Sequence, residues 1–341
     1  VEPFPTQIDT SLKQLRMNRA ILTKDSTIVL GTILGGIYAI DMAGRLKWHY
    51  NIESGMLSNS VLRLFCDRDN NVWAALDNGL ALIHTGSPYS IMIPERGEPM
   101  LGMIYDIGFT ERGYLIATNQ GLYTYDSPTG KISLLKGAEG QNWHVSEFDG
   151  QIFIGNNQQT FETSKGSTAL HPIPGTDGSS TCMKRATING QDVIVEASYS
   201  NLRIYRMVDG RWTLSNTVEG FSAPVKQMEI DQTGAIWAAN MNSGVYRIEL
   251  SRDLRKVTDI TEYRVLGNDD DVVSYVMKIR GRIVLSDGRT LYTYDDMQQR
   301  VIPYKKLCDG LASASDIHSS AVNDRTFWLS GKYGYTPVDF T

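Results

Sequence analysis

The sequence predicts an all-β fold, a β-propeller of eight four-stranded antiparallel blades, and three observations predict it. The first is a register in which a bulky apolar residue is followed two positions later by a small one: Val29/Gly31, Trp73/Ala75, Leu115/Ala117, Phe153/Gly155, Val195/Ala197, Trp237/Ala239, Val284/Ser286 and Trp328/Ser330. Residues two apart on a strand share a face, so each copy offers one plug and one gap to the same side. The second is the period, since successive copies are 44, 42, 38, 42, 42, 47 and 44 residues apart. The third is the content of each unit, four short β-rich runs separated by turn residues, which is the arithmetic of a propeller blade.

The units divide the chain in order. Residues 1–10 are read as a closing strand and lead-in, with 1–7 supplying the outer strand of the last blade. The blades follow at about 11–55, 56–98, 99–140, 141–178, 179–222, 223–270, 271–312 and 313–341, within one domain over 1–341; seven blades are the alternative count. In a typical unit the first strand is a run such as 61–66 or 225–230. A polar turn follows, as at 68–71 or 232–235, where Asn and Gly suit the positive φ of a twisted hairpin. The second strand carries the register. The third is the most uniform, and Leu-Tyr-Thr-Tyr-Asp occurs verbatim at 122–126 and 291–295. The fourth is variable, as at 131–136 or 300–304. One blade cannot bury both faces alone, so each plug is covered only when the next blade stacks on it.

Bulk numbers narrow the function. Apolar residues at 41% and charged residues at 21% fit a globular chain. A net charge of −5 with no basic run argues against nucleic acid as a partner. The longest apolar stretch, 28–40, contains three glycines and the register, and is too short for a spanning helix. Direct membrane insertion is therefore not expected. Cys66, Cys182 and Cys308 lie far apart without metal or redox spacing and read as free buried thiols. The start at Val1, without Met or a signal-like segment, reads as a processed product or an excised fragment. The five histidines show no HxH or HExxH pairing, and the run Asn268–Asp271 lacks the spaced ligands of a calcium loop. No cofactor, metal or catalytic residue is assigned.

The second unit reads Gly55-Met56-Leu57-Ser58-Asn59-Ser60-Val61, then Cys66-Asp67-Arg68-Asp69-Asn70-Asn71-Val72-Trp73, then Leu76-Asp77-Asn78-Gly79-Leu80. These segments resemble the regulator-propeller repeat of periplasmic sensor proteins of Bacteroidetes, roughly G-L-S-N-N-x-V, D-x-x-G-N-x-W and T-D-N-G-L. Met56 splits the usual Gly-Leu pair, and Asn70 stands for Gly. The likeness extends over units one to three, six and eight, and is thin in four and five. Pro3-Phe4-Pro5-Thr6, Gly31-Thr32 with Gly35-Gly36-Ile37, and 331–340 are similar to a subgroup whose propeller precedes a triple-tyrosine module. The resemblance implies a periplasmic sensor portion of a hybrid histidine kinase or one-component regulator, responding to a glycan or oligosaccharide. It implies as partner a flanking propeller or triple-tyrosine domain of the same polypeptide; a second copy of the chain, in a homodimer, is a further expected partner.

Strand alternation puts the turns between strands two and three on the same rim as the linkers between blades. That rim carries amides, carboxylates and a few rings, which suit sugar hydroxyls and sugar faces. The expected ligand-binding residues are Asn142, Trp143, His144, Lys184, Asp270, Asp271, Lys332 and Tyr333. Trp143 and His144 stand out because their linker has no evident turn role. The leading reading is a non-enzymatic sensing domain. A lyase or glycosidase would need converging acid–base groups such as Asp106, His144 or Glu147, and a pure interaction scaffold is the third reading.

Overall fold

The computed structural model describes residues 3–85, 100–127, 129–242, 244–266, 275–308, 318–321, 326–331 and 334–339. Within these, the strands form eight antiparallel sheets in sequence order, six of four strands and two of three. The chain is a β-propeller by this architecture, and it divides into two compact units, Val1–Pro99 and Met100–Thr341.

The first unit holds two sheets. Sheet 1 is Met17–Leu22, Ile28–Thr32, Ile37–Ile40 and Leu46–Tyr50, and sheet 2 is Val61–Cys66, Val72–Leu76 and Leu80–Ile83. The rest of the expected second blade, from residue 86 on, lies outside the described residues. The second unit holds the other six. Sheet 3 is Ile104–Phe109, Gly113–Thr118, Gly121–Asp126 and Lys131–Glu139. Sheet 4 is Asn142–Phe148, Gln151–Asn156, Thr160–Ser164 and His171–Pro172. Sheet 5 is Cys182–Ile188, Gln191–Ala197, Leu202–Val208 and Arg211–Thr217. Sheet 6 is Val225–Ile230, Ile236–Asn240, Val245–Leu250 and Val257–Tyr263. Sheet 7 is Tyr275–Ile279, Arg282–Ser286, Leu291–Asp295 and Arg300–Pro303. Sheet 8 is His318–Ala321, Thr326–Gly331 and Gly334–Asp339.

The register behaves as blade packing requires. Val29 of sheet 1 clusters with Val61, Val72 and Ala74 of sheet 2. Leu115 clusters with Ile152 and Ile154, Phe153 with Met183 and Ile194, Val195 with Met228 and Ile236, and Trp237 with Val276 and Leu285. Each of these five plugs thus lies against the following sheet. The small positions are equally constrained. A Cβ on Gly31 would lie 2.6 Å from Val61 Cγ1, and one on Gly155 would lie 2.4 Å from the Ser180 carbonyl.

The two tryptophan turns share a device. Asp231 accepts from the backbone N–H groups of Thr233 and Ala235 through Oδ1 and from Trp237 Nε1 through Oδ2, at 2.8, 3.1 and 2.8 Å. Asp67 does the same for Asp69, Asn71 and Trp73 at 2.9, 2.8 and 2.9 Å. One carboxylate therefore fixes the hairpin and the indole together, and holds Asp67 below the usual carboxylate range. Asn70, with φ +67°, occupies the place taken by Gly234, with φ +90°, as the turn chemistry anticipates. Trp237 is fully buried, whereas Trp73 is half-buried.

The N-terminal segment differs from the closing strand expected of it. Pro3–Thr6 have no strand structure, and Asp9–Gln14 form a helix. Ile8, Leu12 and Leu15, spaced as one helical face, pack on Leu30, Tyr38 and Ile40 of sheet 1. Gln7 anchors this cover, donating its N–H to the Gly44 carbonyl and accepting from Leu46 N–H at its Oε1, both at 2.9 Å. Apolar residues on a helical period cover sheet 1.

Sheet 5 carries the buried charge. Glu196 and Arg203 face each other across the second and third strands and form a 2.9 Å ion pair that is essentially solvent-free. The Tyr205 and Thr160 hydroxyls also donate to Glu196, and Arg203 Nη2 donates to the Asp177 carbonyl at 2.6 Å. The pair ties sheet 5 to the strand and linker of sheet 4.

Candidate functional site

The site grows from a repeated backbone irregularity. In sheets 1, 2, 3, 4 and 6 the first strand carries one extra residue near its start: Asn18, Leu62, Tyr105, Trp143 and Lys226. A bulge of this kind leaves a residue out of the ladder and re-aims its side chain. In sheets 3 and 4 that side chain is aromatic. Sheet 5 has an unbroken first strand, and there Tyr199, on the turn between strands two and three, supplies the ring.

These three residues meet. The Trp143 ring lies 4.7 Å from that of Tyr105, tilted by 35°, and 5.9 Å from that of Tyr199, edge to face. Two amides brace them. Asn157 accepts from Trp143 Nε1 at 2.9 Å and donates to Gln141 Oε1 at 3.3 Å, and Gln141 Nε2 donates to the Tyr105 hydroxyl at 2.7 Å. The Tyr105 hydroxyl, used here as acceptor, keeps its own proton to donate. Tyr199 is 37% exposed, so the platform opens to solvent. Burial beside Tyr105 raises the Tyr199 phenol above its ordinary pKa, so it stays a neutral donor. Further along the same unit, the Lys226 ammonium lies 4.3 Å over the Tyr275 ring. Burial lowers its pKa.

Of the residues expected to bind ligand, Trp143 is central to this cluster. Asn142 beside it is fully buried, donating to the carbonyls of Ala138 and Gly140 at 2.9 and 3.0 Å and accepting from Asn156 at 3.1 Å. It holds the bulge and turns away from solvent. His144 is 5% exposed, its ring nitrogens 2.9 Å from the hydroxyls of Ser146 and Ser180. Burial pushes its pKa down to about 4. Lys184 pairs with Glu229 at 2.8 Å across the first strands of sheets 5 and 6. Asp270, Asp271, Lys332 and Tyr333 lie outside the described residues.

The acid–base candidates stand apart. Val145 N–H donates to Asp106 at 2.9 Å from the side of sheet 3, while His144 faces Ser180 of the linker to sheet 5. Sheet 4 therefore separates them. Burial raises the Asp106 carboxyl. Glu147 pairs with Lys165 at 2.9 Å.

Tyr105 and Tyr199 were not singled out from the sequence. For Tyr105 a signal existed: it precedes Leu115 by ten residues, as Trp143 precedes Phe153 by ten, so the two hold equivalent places in the repeat. For Tyr199, in a Ser-Tyr-Ser-Asn turn, no such signal stands out.

No protein-family model and no curated protein matches the chain. Among solved structures, the fold is similar to the extracellular domain of BT4673 from B. thetaiotaomicron, with a TM-score of 0.53 and 15% identity over 94% of this chain. That protein is called a one-component system in this structure and a hybrid two-component system in another, which matches at 0.50 and 13%. The chain spans 47% of its length. The computationally designed protein Ika8 is similar over 95% of this chain and 96% of its own, with a TM-score of 0.51 and 14% identity. At these identities the likeness is one of fold. No helix among the described residues is long and apolar enough to cross a membrane.

Proposed function

We propose that this propeller is an extracellular, periplasmic recognition domain that binds an oligosaccharide on the platform of Tyr105, Trp143 and Tyr199 and relays occupancy to other domains of a longer signalling polypeptide. The observation that carries the reading is the convergence of three rings from three successive sheets, braced by Gln141 and Asn157. Sugar rings present apolar C–H faces and hydroxyl edges together, and a ring platform bordered by amides answers both. The bulges add preorganisation, because the side chains are held before ligand arrives. The shared fold with the BT4673 extracellular domain supports the sensor role and the location. The domain acts by binding without turnover, and its partners are a flanking propeller or triple-tyrosine module and a second copy of the chain.

Titration of a panel of polysaccharide-derived oligosaccharides, followed by tryptophan fluorescence and calorimetry, tests this. One member binds saturably, and Trp143→Ala and Tyr199→Ala each weaken it about tenfold or more at unchanged unfolding midpoint. A panel with no binder, or binding indifferent to both substitutions, overturns the assignment. Release of cleaved product would replace it with an enzymatic one.

A further inference from the structure

On the register face of each sheet, the third strand places one residue directly across from the plug. It is apolar or threonine in sheets 1, 2, 3, 5 and 7, for example Ala39, Thr124 and Ile204. In sheet 4 it is Glu162 and in sheet 6 it is Arg247. The charge of Glu162 is answered by Arg211 at 2.8 Å and by Gln151. Arg247 is answered on one side only.

Its Nη1 donates to Glu249 Oε1 at 2.5 Å. Its guanidinium carbon lies 5.1 Å from the Tyr294 ring centroid and 5.9 Å from that of Trp237. The side chain is 12% exposed. Its Nε is the one buried side-chain nitrogen or oxygen among the described residues with no hydrogen-bond partner. Buried polar atoms are almost always paired, so an orphan inside a well-formed aromatic clamp calls for an acceptor from outside. The unused Nε–Nη2 edge is the edge that grips a carboxylate through two parallel N–H bonds.

Arg247 lines a cleft of about 340 Å³ between sheets 5, 6 and 7, with Ile188 and Leu250 as apolar wall and Asn189, Thr233 and Gln299 as polar wall. Its size is within the range of small-molecule sites, ~300–1,000 Å³. The cleft also presents the carboxylates of Glu249 and Asp296. A bare inorganic anion would be repelled by them, whereas hydroxyl groups would donate to them. We infer that Arg247 and this cleft form a second binding site, for a small hydroxylated carboxylate, with the carboxylate on the Nε–Nη2 edge and hydroxyls on Glu249 and Asp296. The site lies at the turns joining first to second strands and third to fourth strands, away from the aromatic platform, and does not rest on its assignment.

Calorimetric titration of the full chain with glucuronate, glycerate, glucose and sulfate tests this. Saturable binding of glucuronate or glycerate is expected, with none of glucose or sulfate, and the two carboxylates distinguish a sugar acid from a short hydroxy acid. Arg247→Lys keeps the charge and loses the fork, and binding falls about tenfold or more. Thr233→Trp fills the cleft without touching Arg247 and gives the same loss, which decides the matter if the Arg247 variant does not fold. Trp143→Ala leaves carboxylate binding unchanged, so failure here and failure of the platform are separately visible. Equal binding of glucose, full retention in Arg247→Lys or Thr233→Trp, or no binding by any carboxylate overturns the inference.

Discussion

Lowering the pH should destabilise this protein through one side chain, His144. Its ring is enclosed between the Ser146 and Ser180 hydroxyls and lies against Gly155, where an added Cβ would come within 2.2 Å of His144 Cδ2. Burial lowers its pKa from 6.5 to about 4. The folded state therefore binds the proton more weakly than the unfolded state. Stability is complete above pH 6.5 and declines as pH falls through the window between 6.5 and 4. A shift of this size corresponds to about 2 kcal/mol lost between pH 7 and pH 5, and about 3 kcal/mol by pH 4. Other carboxylates titrate in the same range, so the quantity to measure is a difference. Urea unfolding of the parent and of His144→Gln, at several pH values, gives two stability profiles. Glutamine retains hydrogen bonding and cannot charge, so the parent should lose about 3 kcal/mol more than the variant on acidification to pH 4. Parallel profiles would refute the claim that the imidazole is held neutral by burial.

Trp237→Ala removes a side chain with no exposed surface, worth ~200 Å² of burial, and should cost about 3–5 kcal/mol. Trp73→Ala, which breaks the same kind of bond to aspartate from a half-buried site, should cost about half as much; equal losses in thermal or urea unfolding would contradict the packing difference. Arg203→Met strands the buried Glu196 charge and should cost about 3–5 kcal/mol, most of it recovered in Arg203→Met/Glu196→Gln; a double variant no better than the single would show that the pair is not the source of the loss.

The fold was legible because its signal is local and repeated. Large and small residues two apart report one strand face, and eight copies leave little freedom in the architecture. The N-terminal segment escaped because Ile8, Leu12 and Leu15 make a single short helical face, too brief to stand out beside two prolines. The site was half legible. Trp143 showed itself as a large ring without a turn role, but its neighbours Asn142 and His144 have the same polar look and are buried by the bulge that exposes it. Burial of that kind depends on hydrogen bonds to Ala138 and Ser180, which no spacing announces. Tyr105, Trp143 and Tyr199 become neighbours only when three sheets stack, and Arg247 becomes informative only when its partners are counted.

The bulges that lift Tyr105, Trp143 and Lys226 out of their ladders also separate two kinds of evolutionary freedom. A residue outside the ladder contributes no rung, so exchanging it leaves the strand pairing below undisturbed. Related chains could therefore diversify what they recognise by drifting at a few such positions while Val29, Phe153 or Trp237 stay under strict volume control. Recognition in such a lineage would change quickly, and shape hardly at all.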